Sequence, residues 1–122
     1  MKNVGSWFIA VAVLYALLGM VFGIWMGINE AFDYADFHAH VNLIGWASFA
    51  IFGLVYRAYP KMAECRLAAA HFWVANLGAI IFIPGVYIVI TTKNAIPVAA
   101  GSLVVLASMV IFAVNFWRHM RG

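Results

Sequence analysis

The stretch FHAHVNLIGWASFAIFGLVYRAY, residues 37–59, decides the fold of this chain. It is apolar almost throughout and long enough to cross a bilayer, which takes about 20 residues of helix. His38 and His40 lie at its beginning, where a bilayer tolerates polar groups only if something binds them. An ionisable residue inside a membrane span is by default a functional-site hypothesis, so this pair is the first candidate site.

The composition places the whole chain in a membrane. Of its 122 residues, 67% are hydrophobic and only 9% are charged, and the mean hydropathy is +1.01. A soluble domain of this size could not bury so much apolar side chain. Apolar runs cover residues 6–28, 37–59, 67–90 and 96–117, and their short connections force neighbouring helices to be antiparallel. We therefore expect an all-α fold, an integral membrane four-helix bundle that forms one domain over residues 1–122.

The distribution of basic residues predicts how these spans are oriented. Lys93 is the single base on the side of the membrane where the first and third connections lie. The opposite side, with both termini and the second connection, carries the other six bases: Lys2, Arg57, Lys61, Arg66, Arg118 and Arg121. By the positive-inside rule both termini are cytoplasmic, and the histidine pair lies at the outer end of its span in the inner membrane of the cell. The net charge of +3 is then a topology signal. No nucleic-acid partner is expected, because the bases form no single stripe.

The spacing of the two histidines adds a constraint. Residues i and i+2 of an α-helix lie about 200° apart, so His38 and His40 should face opposite sides. They are not expected to hold one ion together, and each ring should face its own pocket. Asn42 adds a polar group one turn below His38, and Gly45 removes a side chain from nearly the same face, where a flat macrocycle could lie. Each feature also has a simpler explanation that needs no ligand. Close helix packing would account for such glycines, and a position in the lipid headgroup region would account for the histidines.

Three other residues with reactive side chains receive simpler interpretations. His71 begins the third run at the inner side, where we expect a hydrogen bond near the helix start. His119 lies in the basic tail and is interpreted as an interfacial residue. Cys65, the single cysteine, excludes an internal disulfide and a cysteine-based metal site, and we expect it to be a bystander.

The surroundings of the histidine pair favour haem as the ligand. Neutral imidazole suits zinc, copper, iron and nickel. No carboxylate or thiolate lies within the four runs to complete a site for a naked ion, whereas aromatic residues make up 16% of the chain. An iron porphyrin supplies four of its six ligands itself, so two histidines suffice.

At these residues the sequence resembles a known family. The run HAHVNLIGWASFAIFGLVYRAYP, from His38 to Pro60, is similar to the tenth helix of the catalytic subunit, subunit I, of haem–copper oxidases. The closest likeness is to the cbb-type oxidases and nitric oxide reductases. The shared positions are His38, His40, Gly45-Trp46, Phe49, Phe52-Gly53, Tyr56 and Pro60. The third run resembles the eleventh helix through His71-Phe72-Trp73, Gly78 and Pro84, so the chain looks like the last four helices of subunit I as a stand-alone small protein.

The resemblance implies roles for particular residues. It makes His38 an axial ligand of a high-spin haem and His40 one of a low-spin haem, and it gives His71 no ligand role. Trp46 is carried over as part of the cofactor-binding pattern, and Lys93 stands near the place where the family uses basic residues to meet haem propionates. The chain has no segment resembling the copper-ligating helices, so one copy is not expected to reduce oxygen or to be an enzyme on its own.

The resemblance also implies an assembly. Subunit I of the family is similar to three arcs of four helices around a pseudo-threefold axis, and this chain looks like one arc. Closed rotational symmetry is the common solution for identical subunits, so we expect a homo-oligomer, with a trimer favoured over a dimer. His38 of one protomer would then oppose His40 of its neighbour, with haem b between them.

The resulting hypothesis is a membrane b-type cytochrome that transfers electrons through bis-histidine haem near the outer face. Three alternatives stay open at this point. One is a five-coordinate haem that binds oxygen or nitric oxide, as a sensor or a reductase. Another is a haem-free accessory or assembly subunit, and the last is a copper or zinc site. The sequence names no redox partner.

Overall fold

The structure is a computed structural model that describes residues 1–121, and its regular elements are all helical. They are α1 (Val4–Ile28), a 3₁₀ turn (Phe32–Tyr34), α2 (Ala35–His40), a π-helical segment (Val41–Ser48), α3 (Phe49–Ala58), α4 (Pro60–Glu64), α5 (Arg66–Thr92) and α6 (Ile96–His119). No strand occurs among these described residues. The predicted all-α class is therefore confirmed.

Four of the helical stretches are long and apolar enough to cross a membrane, namely Val4–Ile28, Phe32–Ala58, Arg66–Thr92 and Ile96–His119. The predicted set of four spans is confirmed, and the chain is a membrane protein. The second span begins earlier than residue 37 because the 3₁₀ turn, α2, the π-helical segment and α3 follow one another without a break. That the whole chain is one domain with cytoplasmic termini stays a prediction.

Local backbone features end the helices where the chain reverses. Lys93 caps α5 with a positive φ of 63°, and Glu30 adopts a positive φ of 50° in the loop after α1. Pro60 stands in the first turn of α4, where its missing N–H removes no helical hydrogen bond. Cys65 is extended between α4 and α5. These breaks give the short connections that the sequence predicts.

The helices pack as two antiparallel pairs. In one pair α1 lies along the second span, and in the other α5 lies along α6. Gly5 and Gly53 bring the first two backbones together, since a Cβ on Gly5 would lie 2.7 Å from the carbonyl oxygen of Gly53. Gly85 does the same in the second pair, where a Cβ would lie 2.7 Å from the nitrogen of Val98. Small residues at such crossings are how membrane helices approach closely.

An aromatic cluster joins the two pairs in the half of the molecule that carries both chain termini; this half is called the inner half and the opposite one the outer half. Phe8 of α1 is fully buried and meets Phe49 at a centroid distance of 5.4 Å and Phe72 at 5.0 Å, both edge to face. Phe52 reaches α6 through Phe112, with ring centroids 4.8 Å apart. Edge-to-face rings are a favoured geometry for aromatic pairs, so this cluster stabilises the contact between the pairs.

The π-helical segment lies directly after the histidine pair. Its wider turn is visible in the side chain of Ser48, whose hydroxyl donates to the carbonyl of Leu43, five residues back, at 2.8 Å. Segments of this kind are rare and occur often at functional sites. The predicted regular helix over residues 37–59 therefore changes its pitch between Val41 and Ser48.

Replacing Phe8 tests the role of the aromatic cluster. Phe8→Ala removes a fully buried ring that packs on rings of α3 and α5, and we expect it to lower the free energy of unfolding by about 3 kcal/mol. Leu17→Ala is the matched control, because Leu17 is 56% exposed on the same helix. Unfolding of both variants in detergent micelles measures the difference. An equal loss of unfolding free energy in both variants would show that the Phe8 ring stabilises the packing no more than an exposed side chain does.

Candidate site at the outer histidines

His38 faces the first helix. The edge of its ring lies against Gly23 of α1, where a Cβ would be 2.7 Å from His38 Cε1 and 3.3 Å from Nε2. The Nδ1 atom of His38 is buried and has no hydrogen-bond partner. A buried polar atom without a partner carries a desolvation cost, so this nitrogen makes His38 a candidate site residue.

His40 faces the other side and is held differently. Its Nδ1 atom lies 2.7 Å from the carbonyl oxygen of Asp36. A carbonyl only accepts, so Nδ1 carries the proton and donates, and Nε2 keeps its lone pair. The ring also packs edge to face on Phe82 of α5, with centroids 5.2 Å apart. His40 is thus oriented in the manner of a metal-ligating histidine, whose other ring nitrogen donates to a carbonyl.

The two rings contact different helices, as the spacing of i and i+2 predicts. His38 meets α1 and His40 meets α5. Among the described residues, no group of three or more His, Cys, Asp or Glu side chains comes together.

A groove opens beside His38. It has a volume of about 600 Å³ and is lined by Met20, Gly23, Ile24, Met26, His38 and Asn42. That volume lies within the range of small-molecule and cofactor sites. Four of its six lining residues come from α1, which the sequence reasoning did not connect with the histidines. The spacing of Gly19, Gly23 and Gly27, one glycine every fourth residue, was the signal that could have indicated this contribution.

The remaining predicted site residues behave as follows. The amide nitrogen of Asn42 donates to the carbonyl of His38 at 2.9 Å, and Asn42 packs on Gly19. Gly45 faces α1 as His38 does, but the ring of Tyr15 covers it, which is the helix-packing alternative for this glycine. Trp46 is 38% exposed on the second span, and Lys93 is exposed at the end of α5. Their roles at a cofactor stay predictions.

His71 belongs to a separate hydrogen-bonded network at the inner end. His71 is fully buried, and its Nδ1 lies 3.0 Å from the hydroxyl of Tyr56. Asn115 donates to the carbonyl of Met62 at 3.2 Å and approaches the Tyr56 hydroxyl at 3.5 Å. The thiol of Cys65 donates to the Asn115 side-chain oxygen at 3.1 Å. Cys65, expected to be a bystander, therefore helps to hold the turn around α4 against α6.

The hydrogen-bond partner of His71 differs from the sequence expectation at this inner end. His71 finds its hydrogen bond on the second span rather than near the start of its own helix. The Nε2 of His71 has no hydrogen-bond partner and is buried among aromatic rings, the nearest being Phe52 with centroids 4.6 Å apart. His119 bonds the carbonyl of Asn115, one turn back, at 2.8 Å. Neither inner histidine approaches the outer groove.

Comparison with known proteins relates half of the chain to oxidase subunits. It is 30% identical over 70 residues to the cytochrome c oxidase subunit 1 homolog, bacteroid, of Bradyrhizobium diazoefficiens, a match that covers 50% of this chain and 13% of that protein. It is 27% identical over 70 residues to the cbb3-type cytochrome c oxidase subunit CcoN1 of Stutzerimonas stutzeri, covering 50% of this chain and 15% of that protein. No family model and no solved structure matches.

These matches show a relation to the subunit I proteins of haem–copper oxidases, which the residues at the histidine pair predict. The relation is partial, because the chain spans only 13–15% of the length of the curated relatives that it matches. The class of protein is thus an oxidase-related, four-span membrane protein.

Removing Asn115 tests the inner network. Asn115→Leu leaves the Met62 carbonyl and the Cys65 thiol without their partner, and we expect a loss of about 1–3 kcal/mol of stability. Asn76→Leu is the control, because the Asn76 amide donates only to Phe72 within its own helix. Unfolding in micelles measures both variants. A larger loss for Asn76→Leu would contradict the assignment.

Proposed function

We propose that this chain is a membrane b-type haem protein that transfers electrons, with haem held between protomers near the outer face. The observation that carries the proposal is the hydrogen bond from His40 Nδ1 to the Asp36 carbonyl, which leaves Nε2 as the free donor for iron. The relation to oxidase subunits supports the choice of haem over other groups.

The residues around the histidines fit a haem. Beside the groove, Gly23 leaves the room that the His38 ring occupies, and His38 carries a buried nitrogen without a partner. Haem supplies one-electron redox chemistry at its iron when bound. The apolar side chains that line the groove, among them Ile24 and Met26, would exclude water from it.

A second copy supplies what one chain lacks. His38 and His40 contact different helices, so they do not face each other across one site in the same protomer. Axial ligands stand on opposite sides of a haem, and a neighbouring copy brings the opposing histidine. In a closed homotrimer, His38 of every protomer is opposed by His40 of a neighbour, which gives one haem per chain.

The position in the membrane follows from charge. Lys93 is the single basic residue on the outer side. By the positive-inside rule, the termini then lie in the cytoplasm and the histidine pair lies at the outer side of an inner membrane. Lys93 would meet a haem propionate there. A haem held by two histidines would supply one-electron transfer, so we expect the chain to act in electron transfer and not as an enzyme on its own.

A second function is favoured by one difference between the two histidines. The Nδ1 of His38 has no hydrogen-bond partner, whereas that of His40 donates to a carbonyl. A histidine without this support is a weaker ligand, and a small gas could displace it. The alternative is therefore a haem held by His40 that binds oxygen or nitric oxide in the position opposite.

Haem content of a matched pair of variants tests the proposal. His40→Ala removes the supported ligand, and we expect haem per chain to fall to less than about one tenth of the wild-type value. His119→Ala, at the inner side, should keep full content. The pyridine haemochrome assay gives haem per chain, and native mass gives the number of chains. Full haem content in His40→Ala would contradict the proposal.

The floor of the groove provides a second test. Gly23→Val places side-chain atoms where His38 now lies, so we expect less haem and a weakened reduced spectrum. Gly27→Val is the control, because a Cβ on Gly27 meets nothing within 4 Å. Both variants keep both histidines, and optical spectra of the reduced proteins measure the outcome. Equal spectra would remove Gly23 from the site.

Carbon monoxide separates the two candidate functions. Bis-histidine iron resists the gas, so the reduced spectrum should not shift if electron transfer is the function. A shift in wild type that persists in His38→Ala would establish a five-coordinate haem on His40 and favour gas binding.

A further inference from the structure

A cavity lies at the inner end of the molecule, opposite the histidine pair. It has a volume of about 400 Å³, which is within the range of ligand sites. Its wall comes from the first turn of α1, the last turn of α3 and the short helix α4. The proposed haem does not use this inner cavity, because both outer histidines lie at the other end of the second span.

The wall of the inner cavity carries more positive than negative charge. Lys2 and Arg57 are its bases, and Glu64 is the one acid among the described residues that line it. Ser6 adds a hydroxyl, and the buried Tyr56 forms part of the wall. With two bases and one acid, the wall is complementary to a ligand with a single negative charge.

Contacts with α1 hold the Arg57 side chain at this cavity. Its Nη1 donates to the hydroxyl of Ser6 at 2.9 Å. Its stem lies over Gly5, where a Cβ would be 2.9 Å from Arg57 Cγ, so the glycine makes room for the arginine. The bond to Ser6 occupies one of the five N–H donors of the guanidinium, and the hydroxyl is neutral. Arg57 is therefore held in place by a group that does not neutralise its charge.

The chemistry of the two bases selects a phosphate group. A planar guanidinium can donate to two phosphate oxygens at once, and a lysine adds a compact positive charge. Basic pockets between membrane helices at the cytoplasmic side are places where anionic lipid headgroups bind. A second negative charge on the ligand would be disfavoured by Glu64, which lines the same wall.

The surface next to the cavity favours a lipid over free phosphate. The first helix, α1, begins at the cavity and runs from it through the membrane. Large apolar side chains are exposed along α1, among them Trp7 at 55% and Leu14 at 60%. Acyl chains can lie along such a surface while the headgroup stays at the membrane boundary.

We infer that the inner cavity binds the headgroup of an anionic phospholipid, with its phosphate held by Arg57 and Lys2. Phosphatidylglycerol, which carries one negative charge, has the matching chemistry. Sequence reasoning used these two bases only as topology signals. The inference goes beyond the proposed function and concerns the opposite end of the molecule.

Lipid titration followed by native mass spectrometry tests the inference. The full chain is purified in detergent, delipidated and titrated in parallel with phosphatidylglycerol, phosphatidylethanolamine and phosphatidylcholine that have the same acyl chains. We expect phosphatidylglycerol to bind about fivefold or more tightly than the other two lipids. Inorganic phosphate, added in excess over phosphatidylglycerol, should not displace it. Displacement by inorganic phosphate would identify a free anion as the ligand and overturn the lipid assignment.

Variants then locate the bound lipid. Arg57→Gln removes the charge that Ser6 holds at the cavity, and it should weaken phosphatidylglycerol binding about fivefold or more. Arg118→Gln is the matched control, because Arg118 is an exposed base of α6 at the same end of the molecule and does not line the cavity. Glu64→Gln should strengthen binding, since it raises the positive charge of the wall.

The outcomes that count against the site are distinct. Helical circular dichroism checks that each variant is folded. Equal losses of phosphatidylglycerol binding in Arg57→Gln and Arg118→Gln would show a general charge effect and overturn the inference. Equal affinity of the wild-type chain for the three lipids would do the same.

The haem proposal is tested by other variants. Arg57→Gln leaves both outer histidines in place, so haem per chain should equal the wild-type value. His40→Ala, which should lose haem under the proposed function, should still prefer phosphatidylglycerol. Failure of one proposal is therefore distinguishable from failure of the other.

Discussion

The close approach of α1 to the second span is the constraint on which the rest of the structure depends. Glycines stand along this contact, and each makes room for a group on the other helix: Gly5 for the backbone at Gly53, Gly23 for the ring of His38. In lipid there is little hydrophobic drive between helices, so such contacts rest on van der Waals packing and need small residues. Because the helices are antiparallel, the same contact that closes the inner end also sets His38 against α1 at the outer end.

The two ends of the molecule use polar groups in opposite ways. At the inner end His71, Tyr56, Asn115 and Cys65 bond to one another inside an aromatic cluster, and they hold the turn at α4. At the outer end the polar atoms of the histidine pair are either turned to a backbone carbonyl or left without a partner. His71 Nε2 also lacks a hydrogen-bond partner, but it is enclosed by aromatic rings, whereas a groove opens beside His38 where a ligand can bind.

Sequence reasoning predicted the large features because they depend on composition and helical period. The four spans, the antiparallel order and the different surroundings of His38 and His40 all follow from the length of the apolar runs and the angle per residue. It did not predict that Tyr15 covers Gly45, that Cys65 is hydrogen-bonded, or that α1 lines the groove. These depend on which residues of distant helices meet, and an apolar run gives the same hydropathy in any rotation about its axis.

The sequence by itself determined the class of protein, the number of spans and the pair of histidines at one end of the second span, since apolar length and local spacing are properties of the chain alone. Only the tertiary structure decided what each imidazole meets: a carbonyl and a phenylalanine for His40, and Gly23 of α1 for His38. The physical reason is that the helix register across α1 and the change of pitch between Val41 and Ser48 are set by side chains that interlock in space.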